Sequence, residues 1–326
     1  MSRIKIIGTG SYLPEKILTN LDLEKIVDTS DEWISTRTGI KERRITDENT
    51  AVSDLMTEAS KNAIEMANIP LSEIDGIIAG TITPDMMFPA TSCIIQKNLG
   101  IKNKFAFDLS AGCSGFIYSL EVASNFIKSG NYKNLLVIGG ETLSKITNWS
   151  DRNTCVLFGD GAGAVVVTES TDDSGVLSSI IGAAGEYGDL LYQPAGGSRM
   201  PASKETIEKN LHTVVMKGSE VFQHAVRSMQ SAGEEVIKAA GITSDDIDIF
   251  IPHQANIRIL QSTAKRLKIP IEKVYINIDK YANTSAGTLP IALDQAVRAN
   301  QIKKGDIILF DVFGAGLTWG AAIVKW

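Results

Sequence analysis

Short β-branched runs alternate along this chain with longer segments whose apolar residues recur every three or four positions, the pattern of buried strands between amphipathic helices. Met1-Ser2-Arg3-Ile4-Lys5-Ile6-Ile7-Gly8 reads as a strand running straight into a turn. Phe105-Ala106-Phe107-Asp108-Leu109 reads as a buried strand, and Ser110 to Gly115 as a tight turn after it. Phe116, Ile117, Leu120, Ala123, Phe126 and Ile127 then fall at helical spacing until Gly130. Further strands are expected at Leu135–Ile138, Ala164–Thr168, Asp248–Pro252, Val274–Ile278 and Ile307–Phe310. A helix with the stripe Ile257, Leu260, Ala264 and Leu267 follows one of them, and another is expected from about Thr288. The alternation predicts an α/β protein with partly parallel sheets.

The pattern also repeats. Residues 67–78 and 240–251 match without a gap at Ala67/Ala240, Ile69/Ile242, Glu73/Asp246, Ile74/Ile247, Asp75/Asp248 and Ile78/Ile251. Each segment ends a helix, crosses a polar turn and enters a strand. Residues 133–138 resemble 305–310, again a strand after a helix, and Gly112-Cys113-Ser114-Gly115 lies nearly in register with Thr284-Ser285-Ala286-Gly287. One such pair is as well explained by chance; three in the same order favour an internal duplication. The length of 326 residues agrees, since a single core stops growing near ~250–300 residues. The polar run Ser170–Gly175 marks the boundary, giving halves at 1–170 and 171–326, with a site expected between them.

Composition narrows the function classes. Apolar residues make up 44% and charged residues 21%, ordinary for a globular protein. The net charge of −6 argues against nucleic acid as the main partner. No segment approaches the ~18 consecutive apolar residues of a membrane span, so no membrane association is expected. The N-terminus lacks the features of a signal peptide. Three cysteines make no disulfide framework and suit no zinc site, so a reducing, cytoplasmic setting without a bound metal is expected. Two glycine motifs lead nowhere. Gly8-Thr9-Gly10 lacks the third glycine and the following helix of a dinucleotide loop. Gly159-Asp160-Gly161-Ala162-Gly163 leads into a strand, where a phosphate loop needs a helix N-terminus, and reads as a close-packed turn.

Three residues stand at the ends of predicted strands. Cys113 opens an apolar helix, where free amide N–H groups and the helix dipole stabilise a thiolate and lower its pKa. A small cysteine packed at a tight turn is an equally good reading. Cys93 and Cys155, in apolar stretches, are read as structural. His253 follows the run Asp248–Pro252, at the strand end where catalytic groups gather in α/β folds, although a lone histidine is more often structural. His212 and His224 fall in a polar loop and an amphipathic helix and are read as exposed or satisfied. Asn283 opens the turn before the helix at Thr288, and an asparagine there is also a good helix cap. The duplication makes that turn the counterpart of the Cys113 turn, so a thiol, an imidazole and a carboxamide are expected to meet in one cavity.

Together with Asp31-Glu32-Trp33-Ile34, Arg37-Thr38-Gly39-Ile40, His253-Gln254-Ala255-Asn256 and Gly314-Ala315-Gly316-Leu317-Thr318-Trp319-Gly320, these residues resemble the β-ketoacyl-acyl-carrier-protein synthase III family of the thiolase superfamily. The resemblance runs along essentially the whole chain. It implies a thiolase-like five-layered αβαβα fold from two duplicated halves, and a homodimer. It implies that an acyl-CoA primer acylates the cysteine and that malonyl-acyl-carrier protein then decarboxylates and attacks the acyl group. Coenzyme A is a substrate in this scheme and no cofactor is needed. By the same resemblance, Cys113, His253 and Asn283 match the catalytic triad, and the backbone amides of Cys113 and Ala315 match the oxyanion hole, with Ala315 replacing a common glycine. Trp33, Arg37 and Arg152 match positions that hold the adenine and phosphates of coenzyme A. Phe88 matches a residue that crosses the dimer to wall the partner's acyl pocket, whose shape also depends on Leu143 and Phe158.

The chemistry fits these residue types. A thioester carbonyl needs a soft nucleophile and an oxyanion hole. Decarboxylation leaves an enolate, to which an imidazole and a carboxamide can donate without adding negative charge. A thiolase would need a second cysteine near the C-terminus, and all three lie in the N-terminal half. A chain-elongating synthase would use a second histidine where Asn283 stands. A cysteine protease does not fit the duplication, and a carrier-binding paralogue without activity does not fit the retained polar groups. A related enzyme of secondary metabolism, with another primer or acceptor, is the main alternative; the primer itself is not legible. Arg258, Lys265 and Arg266 form a basic face on the helix after His253, expected to dock the acidic carrier protein; a merely solvated face would look the same.

Overall fold

The computed structural model describes residues 3–326. Its frame is nine strands: β1 (Ile4–Tyr12), β2 (Gly76–Gly80), β3 (Phe105–Leu109), β4 (Asn134–Thr142), β5 (Asp160–Glu169), β6 (Gly175–Ala183), β7 (Ile249–Pro252), β8 (Ile307–Gly314) and β9 (Thr318–Lys325). The helices that matter here are α1 (Asp31–Thr38), α2 (Val52–Ala67), α3 (Thr91–Leu99), α4 (Gly115–Lys128), α5 (Gly218–Ala239), α6 (Ile257–Leu267) and α7 (Thr288–Arg298).

The strands form two mixed sheets, ordered β1-β5-β4-β2-β3 and β6-β9-β8-β7. In the first, β2 runs parallel to β3 and β4, while β5 is antiparallel to β4 and β1. The second repeats the plan, with β7 parallel to β8 and β9 antiparallel to β8 and β6. The sheets sandwich α4 and α7, whose Leu120, Leu289 and Leu293 pack with Val137 and Val165 on one side and Ile251, Phe310 and Val312 on the other. The outer face of the first sheet carries α2 and α3, where Leu55, Ala59 and Ile95 cover Leu136 and Ile138. The outer face of the second carries α5 and α6, where Val236 and Leu267 cover Phe250 and Leu309. This is the expected five-layered αβαβα arrangement. Covering both faces of each sheet is why strands such as Leu135–Ile138 are apolar at consecutive positions. Each buried Leu, Ile or Phe side chain stabilises the fold by roughly 1.5–3 kcal/mol.

The second sheet departs from the plan at one edge. A fifth strand was expected at Val274–Ile278, but only Val274 bridges Phe250, and Ile278 already begins a short helix turn, Ile278–Tyr281. The cause lies in Pro252-His253-Gln254, where β7 ends after only four residues. The buried Gln254 side chain takes over the pairing: Nε2 donates to the carbonyls of Pro252 (2.9 Å) and Tyr275 (3.0 Å), and Oε1 accepts from Asn277 N–H (3.1 Å). Two expected turns are strand instead. β1 continues through Gly8-Thr9-Gly10, because side chains there would collide with the backbone of α2 at Ala63 and Ala59. The Gly159–Gly163 run lies mostly within β5, and a methyl group on Gly163 would stand 2.6 Å from Ile291 N in α7. These glycines let helices lie close on the sheet. Among the described residues no helix is long and apolar enough to cross a membrane.

Candidate active site

Cys113 sits in a single 3-10 turn, Gly112–Ser114, between β3 and α4. Gly112 has φ +55°, and a methyl group on it would lie 2.8 Å from Ala315 N. A side chain at Gly314 would likewise stand 2.6 Å from Cys113 N. The two glycines thus let the β8–β9 turn close on the cysteine, which brings the backbone amides of Cys113 and Ala315 to one side of the same cavity. Two backbone donors converging on the nucleophile's position are the geometry of an oxyanion hole.

The counterpart turn from the second half, Ser285–Gly287, packs against the same place. Asn283, almost fully buried, is fixed by backbone bonds to Leu157 O (2.9 Å) and from Gly159 N (3.0 Å). Its Oδ1 accepts from Ser285 N–H at 2.8 Å, which leaves the carboxamide nitrogen as the free end. Asn283 therefore caps a turn and lines the cavity at once. His253, buried at the end of β7, is anchored by its amide to Asp311 O at 2.8 Å, while Nδ1 has no partner. Asn256 caps α6, which begins at Ile257 and not directly after His253.

Two cavities meet at Cys113. One, of about 240 Å³, is lined by Ile82, Leu143, Ile146, Phe158 and Val214, and also by Ser285 and Ala315. The other, of about 110 Å³, is lined by His253, Asn283 and a wall from α5 that includes Phe222 and Met229. Cys113, Phe158 and Leu191 border both. A group bonded to Sγ can thus lie in the first cavity while a chain reaches it through the second. Leu143 and Phe158 stand where the acyl pocket was expected. Phe88 does not line it: it is 84% exposed, beside exposed Met86 and Met87.

Burial sets the protonation states. The Cys113 thiol is pushed up to about 12 by burial, helped by the nearby Glu141 carboxylate and opposed by hydrogen bonding from Ser285 and the two amides. The expectation of a lowered pKa is therefore corrected: desolvation of the anion outweighs the donors. Burial likewise lowers His253 to about 3, so the imidazole is neutral and can accept the thiol proton. Cys155 is buried, whereas Cys93, also read as structural, is exposed, with its Sγ 3.8 Å from Ala106 O of edge strand β3. His212 and His224 are half-buried; His224 packs on Tyr187 at 4.2 Å, and His212 Nδ1 has no partner.

At the surface, Trp33 packs with two guanidinium groups, Arg37 Cζ and Arg152 Cζ each 4.9 Å from its ring centre. Arg152 also donates to Asp28 O at 2.9 Å. The Asn256 side chain joins this patch to the second cavity by donating to Arg37 O at 3.1 Å. Arg258 reaches back to Thr36 O at 3.3 Å, and Arg266 pairs with Gln230 of α5 at 2.8 Å; Lys265 is exposed between them. Among the described residues no cluster of three or more potential metal ligands occurs. Sequence reasoning missed Glu141 and the role of Ser285. A Gly-Gly-Glu sequence ending a wholly buried strand was the available signal.

Comparison with known proteins follows the same residues. Residues 107–185 match the family model described as 3-oxoacyl-[acyl-carrier-protein] synthase III, and residues 237–326 match its C-terminal counterpart. A protein of Caldanaerobacter subterraneus subsp. tengcongensis named beta-ketoacyl-[acyl-carrier-protein] synthase III is 64% identical over 98% of this chain and 97% of its own. The crystal structure of 3-oxoacyl-[acyl-carrier-protein] synthase III from Aquifex aeolicus superposes with a TM-score of 0.93 at 51% identity, covering 99% of this chain and 100% of that one. The priming β-ketosynthase of a polyketide biosynthetic pathway superposes with a TM-score of 0.92 at 33% identity, covering 99% and 96%.

Proposed function

Because the chain belongs to the 3-oxoacyl-[acyl-carrier-protein] synthase III family, it is an acyltransferase of fatty acid initiation, and we propose that Cys113, His253 and Asn283 carry its condensation. The primer is an acyl-CoA and the extender malonyl-acyl-carrier protein. The observation that carries the assignment is the position of Cys113 at the junction of two cavities, one apolar and one bearing His253 and Asn283. Neutral His253 takes the thiol proton as sulfur attacks the thioester carbonyl. The Cys113 and Ala315 amides hold the resulting oxyanion. Its collapse expels coenzyme A, which leaves as a thiol with that proton. The malonyl thioester then loses carbon dioxide. His253 and Asn283 donate to the enolate oxygen, the enolate carbon attacks the acyl-cysteine, and the cysteine sulfur leaves and takes up one proton from solvent, which balances the loss of the carboxylate as carbon dioxide. A condensation serving secondary metabolism is not favoured, since relatives 64% and 54% identical over 98% of this chain are named beta-ketoacyl-[acyl-carrier-protein] synthase III.

In this reading Trp33, Arg37 and Arg152 bind the nucleotide of coenzyme A, the indole through stacking and the arginines through phosphate. Arg258, Lys265 and Arg266 receive the carrier protein. The chain works as a homodimer in the cytoplasm. Edge strand β3, half-buried at all five positions, and exposed Met86, Met87 and Phe88 support such an interface. Phe88 then closes the partner's acyl cavity. Intact-mass measurement after incubation with a panel of acyl-CoAs tests the reading and identifies the primer. The expected result is one acyl adduct, lost in Cys113→Ala; an adduct that survives that substitution would overturn the assignment.

A further inference from the structure

Glu141 is buried behind the nucleophile, at the inner end of β4, and the condensation as described does not use it. Its carboxylate accepts from Thr81 Oγ1 (2.9 Å), Ile82 N (3.1 Å to each oxygen), Thr83 N (3.0 Å) and Thr83 Oγ1 (2.6 Å). A further contact crosses between the halves: Ser285 Oγ lies 3.3 Å from Oε1. Among the described residues no Lys, Arg or His donates to it. Ser285 lines the same cavity as Cys113, and its hydroxyl is the side-chain donor that opposes the rise of the thiol. A serine hydroxyl has one proton to donate. It serves either the carboxylate or the sulfur.

We propose that Glu141 is a positioning residue that competes with Cys113 for the Ser285 proton and so holds the nucleophile as a thiol until an acyl donor enters. Two groups that titrate face the sulfur: Glu141 from β4 and His253 across the second cavity. The turns at Gly112–Ser114, Gly314–Ala315 and Ser285–Gly287 bring none besides Cys113 itself. An ionised Glu141 disfavours the thiolate twice, by its own charge and by withdrawing a donor. Burial also pushes the Glu141 carboxyl up to about 7, so its ionisation changes within the working range of the protein.

The proposal rests on Cys113 being the nucleophile, and its test is separable from that reading. Iodoacetamide alkylation of Cys113 reports thiol ionisation whether or not the protein condenses thioesters; peptide mapping distinguishes it from exposed Cys93. The rate is followed from pH 6 to 11 in the full-length wild type, Glu141→Gln and Glu141→Gln/Ser285→Ala; below the thiol's midpoint the log rate rises with pH, and the displacement of that line reads the displacement of the midpoint. Glu141→Gln should move the midpoint down by about one pH unit or more, roughly a tenfold faster reaction at neutral pH. Adding Ser285→Ala should remove most of that shift. Glu141→Asp keeps the charge but shortens the reach to Ser285, and it should also move the midpoint down; it serves if the glutamine variant does not fold by circular dichroism. An unmoved midpoint in the folded variant overturns the proposal. So does a downward shift that survives in full without Ser285, because Glu141 would then act by charge alone.

Discussion

Replacing Gln254 with alanine tests how the second half closes its sheet. Gln254 is buried, and its amide makes three hydrogen bonds, to Pro252 O, Tyr275 O and Asn277 N. Alanine leaves those three backbone groups without their partner. An unsatisfied buried group costs about 1–3 kcal/mol, and a water entering the vacated space recovers part of that, so a loss of about 3–4 kcal/mol is expected. Unfolding entropy of about 2.1 cal/mol/K per residue gives roughly 0.7 kcal/mol/K for 326 residues, so Tm should fall by about 5 °C. Differential scanning calorimetry at one protein concentration measures this. Gln254→Glu sharpens the test. At pH 8 a carboxylate would face two carbonyls, and the loss should match or exceed that of alanine; near pH 5 protonation restores one donor and some stability. Because His253 is the preceding residue and serves both proposed half-reactions, acylation and decarboxylation should both slow. A Gln254→Ala protein that melts within about 1 °C of wild type would refute the idea that this side chain replaces a strand.

The proposed half-reactions separate by substitution: Cys113→Ala should abolish the acyl adduct yet retain some release of labelled carbon dioxide from malonyl-carrier protein. Asn283→Ala should do the reverse, with decarboxylation down about 10²–10³-fold; normal decarboxylation with lost acylation would reduce Asn283 to a cap shaping the pocket. Arg37→Ala with Arg152→Ala should raise KM for acyl-CoA, and the loss should shrink for a short pantetheine thioester; equal losses with both donors would make the arginines structural. Arg258→Glu should raise KM for malonyl-carrier protein at low salt and spare acylation by acyl-CoA, and unchanged carrier kinetics would remove Arg258 from the docking face.

The layered fold was legible because its signal is periodic. The helical spacing of Phe116, Leu120 and Ile127 and the matched segments at 67–78 and 240–251 follow from burial on both sides of each sheet. Errors fell where a local rule gave way to a tertiary one. Glycines normally mark turns, yet Gly8, Gly10, Gly161 and Gly163 serve helix-on-strand packing. Val274–Ile278 has the composition of a strand, but one glutamine side chain supplies its pairing. Cys113, His253 and Asn283 were found as individual residues at strand ends, and the structure brings them to one junction. The helix dipole argument misjudged Cys113, since a dipole is visible in sequence and the depth of burial is not. Glu141 escaped because a carboxylate in a buried strand has no motif, and its partners come from segments 58 to 144 residues away in sequence.

Arg37 and Arg152 each hold a guanidinium 4.9 Å from the centre of the Trp33 ring. In the proposed reading, a purine that stacks on that ring competes with these contacts for the same surface. Each such contact at an exposed site is worth about 0.5–1 kcal/mol, a factor of roughly two to five in affinity. That discount applies equally to the acylated coenzyme on arrival and to the spent coenzyme on departure. Arrival tolerates it, because the acyl chain adds its own burial in the apolar cavity. Once that chain has passed to Cys113 the compensation is gone, and in the proposed scheme the same contacts then compete with the nucleotide of the spent coenzyme.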